Sequence, residues 1–402
     1  MNRASQPPSA TLATGVILVA LVAMGQVSVA LYIPSMPAIA SDFAVGTGRV
    51  TLTLTIFLAA FAMAQLVYGP VSDRYGRRRA LLGGIFLYIL ASIACAIADG
   101  IVWLSIARFL QALGACSGPV LGRAMVRDIY GRDQAAKVMA YVAMAFAVSP
   151  ALTPLIGGFL QVTFGWRSNF AALAIFGAVL LATVWRRIGE THIPAAPTGV
   201  FGMARTYGTL LRDRRVTGNI ACAAFGFSGL MSFTTAAPFL FIERLGYSPD
   251  AFGAVVIFNV VGMVAGNFVV SRLSHRYGHA KMIGFGTTVS LAAAIAMVGL
   301  AMHGTMTAVA IIAPMACYLF GMGLVFPNAT AGALTPHPRA AGSASALIGF
   351  FQMTAAALAS RVSGLLPHDS QLPMALVILG CATIATAAYL LLVRRGGADA
   401  EP

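Results

Sequence analysis

The sequence predicts an all-α integral membrane protein of twelve transmembrane helices in two pseudo-symmetric six-helix halves. Three observations predict it. Only 9% of the 402 residues are charged and 59% are hydrophobic, against roughly 25% charged in an average soluble domain. Apolar runs of about 20 residues, each able to cross a hydrocarbon core of about 30 Å as a helix, recur along the whole length. One phrase also occurs twice: YGPVSDRYGRRRALLGG, from Tyr68 to Gly84, returns in worn form as VVSRLSHRYGHAKMIGFG, from Val269 to Gly286.

The first six spans are expected at about residues 12 to 33, 50 to 70, 80 to 98, 101 to 122, 136 to 161 and 166 to 185. The first reads as a retained helix and not a signal peptide, because it ends in LYIPSMP with no small-residue cleavage pattern. Pro and Gly inside several spans are tolerated because neighbouring helices satisfy the freed backbone groups. RRIGETHIPAAPTGVFGMARTYGTLLRDRR, Arg186 to Arg215, is the longest polar segment and divides the chain into residues 1–185, a linker over 186–215, and 216–402. Within it, GVFGMARTYGTLLRD has the apolar periodicity of a surface-lying helix, and a flexible basic tether is the equal alternative. The remaining spans are expected at about 217 to 242, 251 to 271, 282 to 302, 305 to 327, 343 to 366 and 372 to 393.

The two copies of the phrase align without gaps. Ser72, Arg74, Tyr75 and Gly76 meet Ser274, Arg276, Tyr277 and Gly278, and Gln65 meets Asn267 in the preceding helix. A repeat of nearly half the chain implies two halves built on one plan. Parallel six-span halves about a midplane cavity are an architecture of secondary transporters.

The formal charge of +14 does not indicate nucleic acid, because the chain offers no soluble domain to carry a basic patch. With the N-terminus cytoplasmic, most of the 26 Lys and Arg fall in cytoplasmic segments, with Arg49, Arg167 and Arg244 outside and Arg108 and Arg361 inside spans. The positive-inside rule therefore predicts both termini cytoplasmic, in the cytoplasmic (inner) membrane. The five cysteines lie within spans without CxxC spacing and read as packing residues. The six histidines show no HxxxH spacing, so neither a metal nor another cofactor is expected. An enzyme is not expected either, since GFSG at Gly226 to Gly229 lacks the final Gly of a nucleophile elbow, and no H-E-x-x-H or G-x-x-x-x-G-K-[ST] occurs. The expected partners are a small-molecule substrate, protons and the lipid bilayer, with the chain a monomer.

The repeated phrase sits between spans two and three. Gly69 permits close packing and Gly76 a tight turn. Asp73 is the single acid among Arg74, Arg77, Arg78 and Arg79, free to pair with one of them or with a helix N-terminus in one conformation and to release it in another. That makes a latch. GPVSDRYGRR closely resembles the loop signature of the major facilitator superfamily, G-x-L-x-D-R-x-G-R-R, with Val71 in place of Leu. ARFLQALGACSG in span four resembles that family's R-x-x-Q-G-x-G motif and puts Arg108 and Gln111 in its polar positions. SPALTPLIGG in span five resembles the antiporter motif, with Pro154, Gly157 and Gly158 matching and Ser149 and Thr153 replacing two glycines. LYIPSMPAIASDF, GPVLGRAMVRDIYG and AAGSASALIGFFQM look like the bicyclomycin-resistance (Bcr/CflA) branch. The resemblance implies proton-driven export of varied amphiphilic compounds by alternating access. An uptake carrier or uncoupled facilitator of the same fold is the alternative.

Polar groups inside spans are costly and mark candidate sites. Arg108 leads, as a group that holds an anionic or polar part of a substrate or modulates a proton site, with a structural hub to Gln26, Gln65 or backbone carbonyls as the alternative. The resemblance makes spans one, four, seven and ten cavity-lining, which nominates Gln26, Tyr32, Arg108, Gln111, Phe225, Phe233, Thr234, Tyr318 and Asn328, joined by Asn259 and Gln352. Gly69, Asp73, Arg74, Gly76, Arg77, Pro154, Gly157 and Gly158 are gating candidates. Asp128, among Arg123, Arg127 and Arg132, is expected in a salt-bridge network at the inner gate or as solvated topogenic charge. Relatives of this branch carry an acid two residues before the span-one Tyr, where this chain has Ala30. No Asp or Glu occupies the middle of any span, which leaves Asp42 and Glu243 as proton-coupling candidates.

Overall fold

The computed structural model describes residues 11–191, 200–337 and 340–394. Residues 1–10 and the C-terminal tail, on which the expected placement of the termini rests, lie outside the described residues, as do 192–199 of the linker. Among the described residues the chain forms helices and no strand.

Helix α1 (Leu12–Ala30) is started by Thr11, whose hydroxyl accepts from the Thr14 amide. Pro34 and Pro37 then stand at the first positions of a 3₁₀ turn (Ile33–Ser35) and of α2 (Met36–Asp42), where a missing N–H costs nothing. The first membrane passage therefore runs on to Asp42, beyond the expected end at residue 33. Helices α3 (Thr47–Tyr75) and α4 (Arg77–Ala96) meet at Gly76, and α5 (Ile101–Phe164) kinks at Gly131. Helix α6 is Arg167–Arg187, and the linker contributes α7 (Val200–Arg212). The remainder is α8 (Arg214–Pro238) with a π-helical end to Arg244, α9 (Pro249–Tyr277), α10 (His279–Met302), α11 (Ala308–Leu334), α12 (Ala341–Leu365) and α13 (Leu372–Ala388). Eleven stretches among the described residues are long and apolar enough to cross a membrane. The expected span not among them, the fifth at about 136 to 161, is the second arm of α5, which is helical to Phe164 but whose side chains before residue 152 are largely outside the described set.

The repeat is visible in the backbone. Gly76 has φ 92° and ψ 147°, and Gly278 has φ 77° and ψ 159°. Each donates its N–H to the serine four residues back, Ser72 or Ser274, at 3.0 and 2.9 Å. Only glycine adopts that φ without strain, so both copies keep it.

Within the first half, α5 packs on α1, α3 and α4, and α6 on α4; in the second, α8 packs on α11, α12 and α13, and α11 on α9 and α10. The outward faces are apolar, with Trp103, Phe159, Trp185, Phe268 and Leu365 all exposed, as lipid contact requires and water would penalise. Lipid gives no hydrophobic drive for helix association, so close approach of small residues matters. A Cβ on Gly114 would lie 2.5 Å from the Tyr88 nitrogen and 2.7 Å from the Gly84 carbonyl oxygen, which is how near α4 and α5 come.

The main pairings that join the halves are α3 with α12 and α5 with α9, supplemented by the 3₁₀ turn against α8 and α9 and by α2 against the π-helical end of α8. Both main pairings carry close contacts at the end opposite the arginine-rich turns. There the Thr55 and Ser360 hydroxyls meet at 3.4 Å, Arg361 Nη1 donates to the Gly48 carbonyl at 3.5 Å, and a Cβ on Gly253 would lie 2.7 Å from the Leu155 Cα. A Cβ on Gly158 would collide with the Pro249 carbonyl oxygen.

Candidate substrate and gating sites

Arg108 is fully buried on α5. Its Nη1 donates to Gln111 Oε1 at 2.7 Å, one helical turn on, and to the Ser28 carbonyl of α1 at 3.1 Å. Gln111 passes the chain to the Ser92 hydroxyl at 2.8 Å, while the Ser28 hydroxyl meets Tyr88 at 2.8 Å. The guanidinium carbon lies 4.2 Å from the ring centres of both Tyr32 and Phe57, and 5.8 Å from that of Phe170. Among the described residues no carboxylate pairs with it, and Nε and Nη2 have no hydrogen-bond partner.

Magnitudes bear on how the cation is held. An ion buried without a counter-ion costs several kcal/mol. Desolvated cation–π contacts return about 2 kcal/mol or more, and charged hydrogen bonds about 1.5–3 kcal/mol each. The cluster holds the cation in place and leaves the three N–H bonds of Nε and Nη2 unpaired, a donor set of the kind that an anion or a hydrogen-bond acceptor satisfies. Of the expected hub partners, a backbone carbonyl and Gln111 serve. Gln26 and Gln65 do not, and Gln65 Oε1 instead lies hard against Gly349 of α12. Phe57 and Phe170 were not among the expected residues, because they sit on α3 and α6 and reach Arg108 only through packing.

The second-half candidates separate. Phe233, Asn259 and Gln352 are buried, whereas Phe225 and Thr234 are half-buried, as is Gln26 in the first half. Neither amide atom of Asn259 has a partner. The Tyr318 hydroxyl is taken by the Gly226 carbonyl at 2.9 Å. Asn328 lies at the arginine end, where its Oδ1 meets Ser274 Oγ and His279 Nδ1, each at 2.8 Å, so its polar atoms serve the rim of the second half.

At the arginine end of the first half, Arg77 Nε meets Asp128 Oδ2 at 2.9 Å. Asp128 thus takes its partner from the α3–α4 turn, and neither Arg123 nor Arg127 of its own helix pairs with it; the Arg132 side chain lies outside the described set. Asp73 is exposed and makes no ion pair among the described residues, so the expected pairing with a nearby Arg or an adjoining helix N-terminus is not what this conformation contains. Helix α4 begins at a glycine and has no capping side chain of its own. Glu190, just past α6, supplies one by accepting from the Arg77 amide at 2.9 Å and the Arg78 amide at 3.2 Å, a carboxylate at a helix N-terminus. Arg78 completes the join through the Trp185 carbonyl at 2.8 Å. Glu190 went unnoticed in the sequence, where its only signal is being the lone acid of RRIGETH. Gly69 faces open space, and Arg74 lies over the Tyr75 ring.

Pro154, Gly157 and Gly158 are buried, with Gly158 against the start of α9. Asp42 is exposed, and its Oδ2 accepts from Trp166 Nε1 and Arg167 Nη1, both at 2.9 Å, which fastens α2 to α6. Glu243 is exposed at the end of α8, where its neighbour Arg244 pairs with Asp369. Four cysteines are buried and Cys317 is exposed. The linker helix α7 turns Tyr207 and Leu210 onto a small core with Val216, Ile220, Leu347 and Ile348, so its apolar face covers α8 and α12.

Residues 16–360 match the family model described as Major Facilitator Superfamily. The chain is 30% identical over 384 residues to the uncharacterized MFS-type transporter YdgK of Bacillus subtilis, covering 94% of each. It is 29% identical to Multidrug resistance protein D of Escherichia coli, over 96% of this chain and 97% of that one. Identity is also 29% to the Bicyclomycin resistance protein homolog of Haemophilus influenzae, over 91% and 92%. A solved POT family transporter in complex with 5-aminolevulinic acid superposes with a TM-score of 0.79 at 13% identity, over 98% of this chain and 99% of that one.

Proposed function

The chain belongs to the Major Facilitator Superfamily, and from that premise we propose that it exports small amphiphilic drugs across the cytoplasmic membrane by alternating access, driven by inward proton flow. It is a transporter and not an enzyme. The observation that carries the reading is the distribution of contacts. The halves touch from the end away from the arginines along α3 and α12 as far as Gln65 and Gly349, while Arg77–Asp128 and His279–Asn328 at the arginine end each stay inside one half. With the arginines cytoplasmic, this is a carrier open to the cytoplasm. The moving units are residues 1–185 and 216–402, joined by 186–215, in a monomer with both termini inside.

In this reading, drugs enter between the halves and meet apolar walls with a few neutral polar groups, among them Gln26, Phe233, Asn259 and Gln352, which suit promiscuous binding. Arg108 takes acceptor or anionic groups. Asp73, unpaired here, becomes the latch when the cytoplasmic ends close, and Gly158 lets α5 seat on α9 when the far ends do. Names borne by relatives of this chain, Multidrug resistance protein D and Bicyclomycin resistance protein homolog, support drugs as the substrate class.

One observation favours uncoupled facilitation as a second reading: Ala30 occupies the position expected to hold an acid, and no carboxylate lies mid-span. Drug movement in everted vesicles, with and without a pH gradient, tests both. Accumulation that needs the gradient supports the exporter, gradient-independent equilibration supports the facilitator, and a coupling gain in Ala30→Asp identifies the missing proton carrier.

A further inference from the structure

The segment between α12 and α13 crosses the far end, and His368 turns from it onto α8. The imidazole centre lies 5.2 Å from that of Phe239, tilted by 48°, and Nε2 is buried without a hydrogen-bond partner. The adjacent Asp369 pairs with Arg244 beyond α8, and Gln371 Nε2 donates to the Thr305 carbonyl at 2.9 Å. One to two turns down α12, Ser363 meets Ser232 at 2.6 Å, and Ser360 accepts from Thr235 at 2.9 Å and touches Thr55 of the other half. The His368 segment is therefore directly continuous with the helix that closes the far end.

An imidazole with an unpaired, buried Nε2 packed on a phenyl ring is comfortable only when neutral. Protonation would put a charge on a half-buried ring whose Nε2 has no acceptor and whose neighbouring carboxylate, Asp369, is paired with Arg244. The charged and titratable groups on the surrounding elements are Asp369 on its own segment, Glu243 and Arg244 at the end of α8, His303 before α11, Arg361 on α12 and Arg49 on α3. Asp369 is already engaged by Arg244.

We propose that His368 is a proton-sensitive clasp of the far-end gate, so that acidification of the medium on that face shifts the carrier toward the far-open conformation. Burial holds the imidazole below its ordinary value, with Asp369 pulling the other way. In this proposal the segment carrying His368 lifts from Phe239 as the far end opens and the imidazole meets water, so the closed gate binds fewer protons there than the open gate and closure loses stability as pH falls through the ordinary histidine value, about 6.5. The proton arrives from and returns to the same side, so His368 regulates the gate and carries no net proton. The proposal rests on the alternating-access reading above but not on the identity of any drug.

The test is a spin-label distance between Ser41→Cys and Ser248→Cys, exposed far-end positions on the two halves, in full-length Cys317→Ser protein in nanodiscs. The expected result is a severalfold rise in the long-distance population from about pH 8 to about pH 5.5, the range in which histidine titrates. His368→Phe, which keeps the ring packing, and His368→Gln both abolish the rise. Absence of a rise with His368 present, or its persistence in both variants, overturns the proposal. Gly158→Leu, which props α5 from α9, separates the two ideas: if even that variant yields no long distance, alternating access itself is wrong.

Discussion

Arg77 Nε meets Asp128 Oδ2 at 2.9 Å, joining the turn between α3 and α4 to α5 just before its kink at Gly131. The pair is partly solvated, so it contributes only about 0–1 kcal/mol to stability. Asp128→Asn is expected to leave the melting temperature nearly unchanged and to lower drug efflux severalfold, because the turn that carries Asp73 loses its brace. Equal efflux in vesicles matched for protein content would remove this role.

Asp73 is free in the conformation described and is expected to be engaged only when the cytoplasmic ends meet. Asp73→Asn should insert and melt like the parent while transport slows. A melting temperature that falls together with transport would point to a structural residue instead.

Among the described residues Arg108 is a buried cation with no acid paired to it, so removing it relieves a desolvation cost. Arg108→Met is expected to be neutral or stabilising by about 1 kcal/mol, within the range seen when buried ions are replaced by apolar groups, yet to weaken drug binding about tenfold. Arg108→Lys should not restore binding, since a point charge cannot keep Gln111 and the Ser28 carbonyl while offering two further donors. Calorimetric titration alongside thermal melts checks both halves of this statement, and loss of stability in the Met variant would contradict it.

Asp213 caps α8 through the Arg215 amide at 2.9 Å and holds His337 at 3.0 Å. Burial alone would raise its carboxyl, but the amides of Arg215 and Val216 and the His337 ring outweigh burial and hold it below the ordinary value. A depressed carboxyl stabilises the fold above its unfolded value of about 3.9 and loses that effect as pH falls through the folded value. Asp213→Asn should therefore melt lower at neutral pH, by roughly the 1 kcal/mol of a helix cap, and the gap should close below about pH 4. Melting curves of the two proteins across pH decide it, and a gap that persists in acid counts against the assignment.

Glu190→Ala removes the cap of α4, whose first residue follows a glycine. The expected cost is about 1 kcal/mol, the scale of a lost N-cap, with faster amide exchange at Arg77 and Arg78. Unchanged exchange at those two amides would show that α4 does not need Glu190.

The sequence by itself determined the membrane class, the two-fold plan and the position of most spans, because lipid demands long apolar helices and a repeated Ser-x-Arg-Tyr-Gly turn repeats its backbone. It also singled out Arg108, since an arginine within an apolar run has no ordinary explanation. Only the tertiary structure decided what surrounds these residues. Phe57 and Phe170 reach Arg108 from helices that sequence order does not bring near it, Glu190 reaches Arg77 across 113 residues, and Asp128 chose a partner outside its own helix. Asp73, the most conspicuous acid in the sequence, makes no ion pair among the described residues. Apolar periodicity is a local property read along one helix, whereas side-chain pairing depends on how helices rotate and tilt against each other, and that is settled only when they pack.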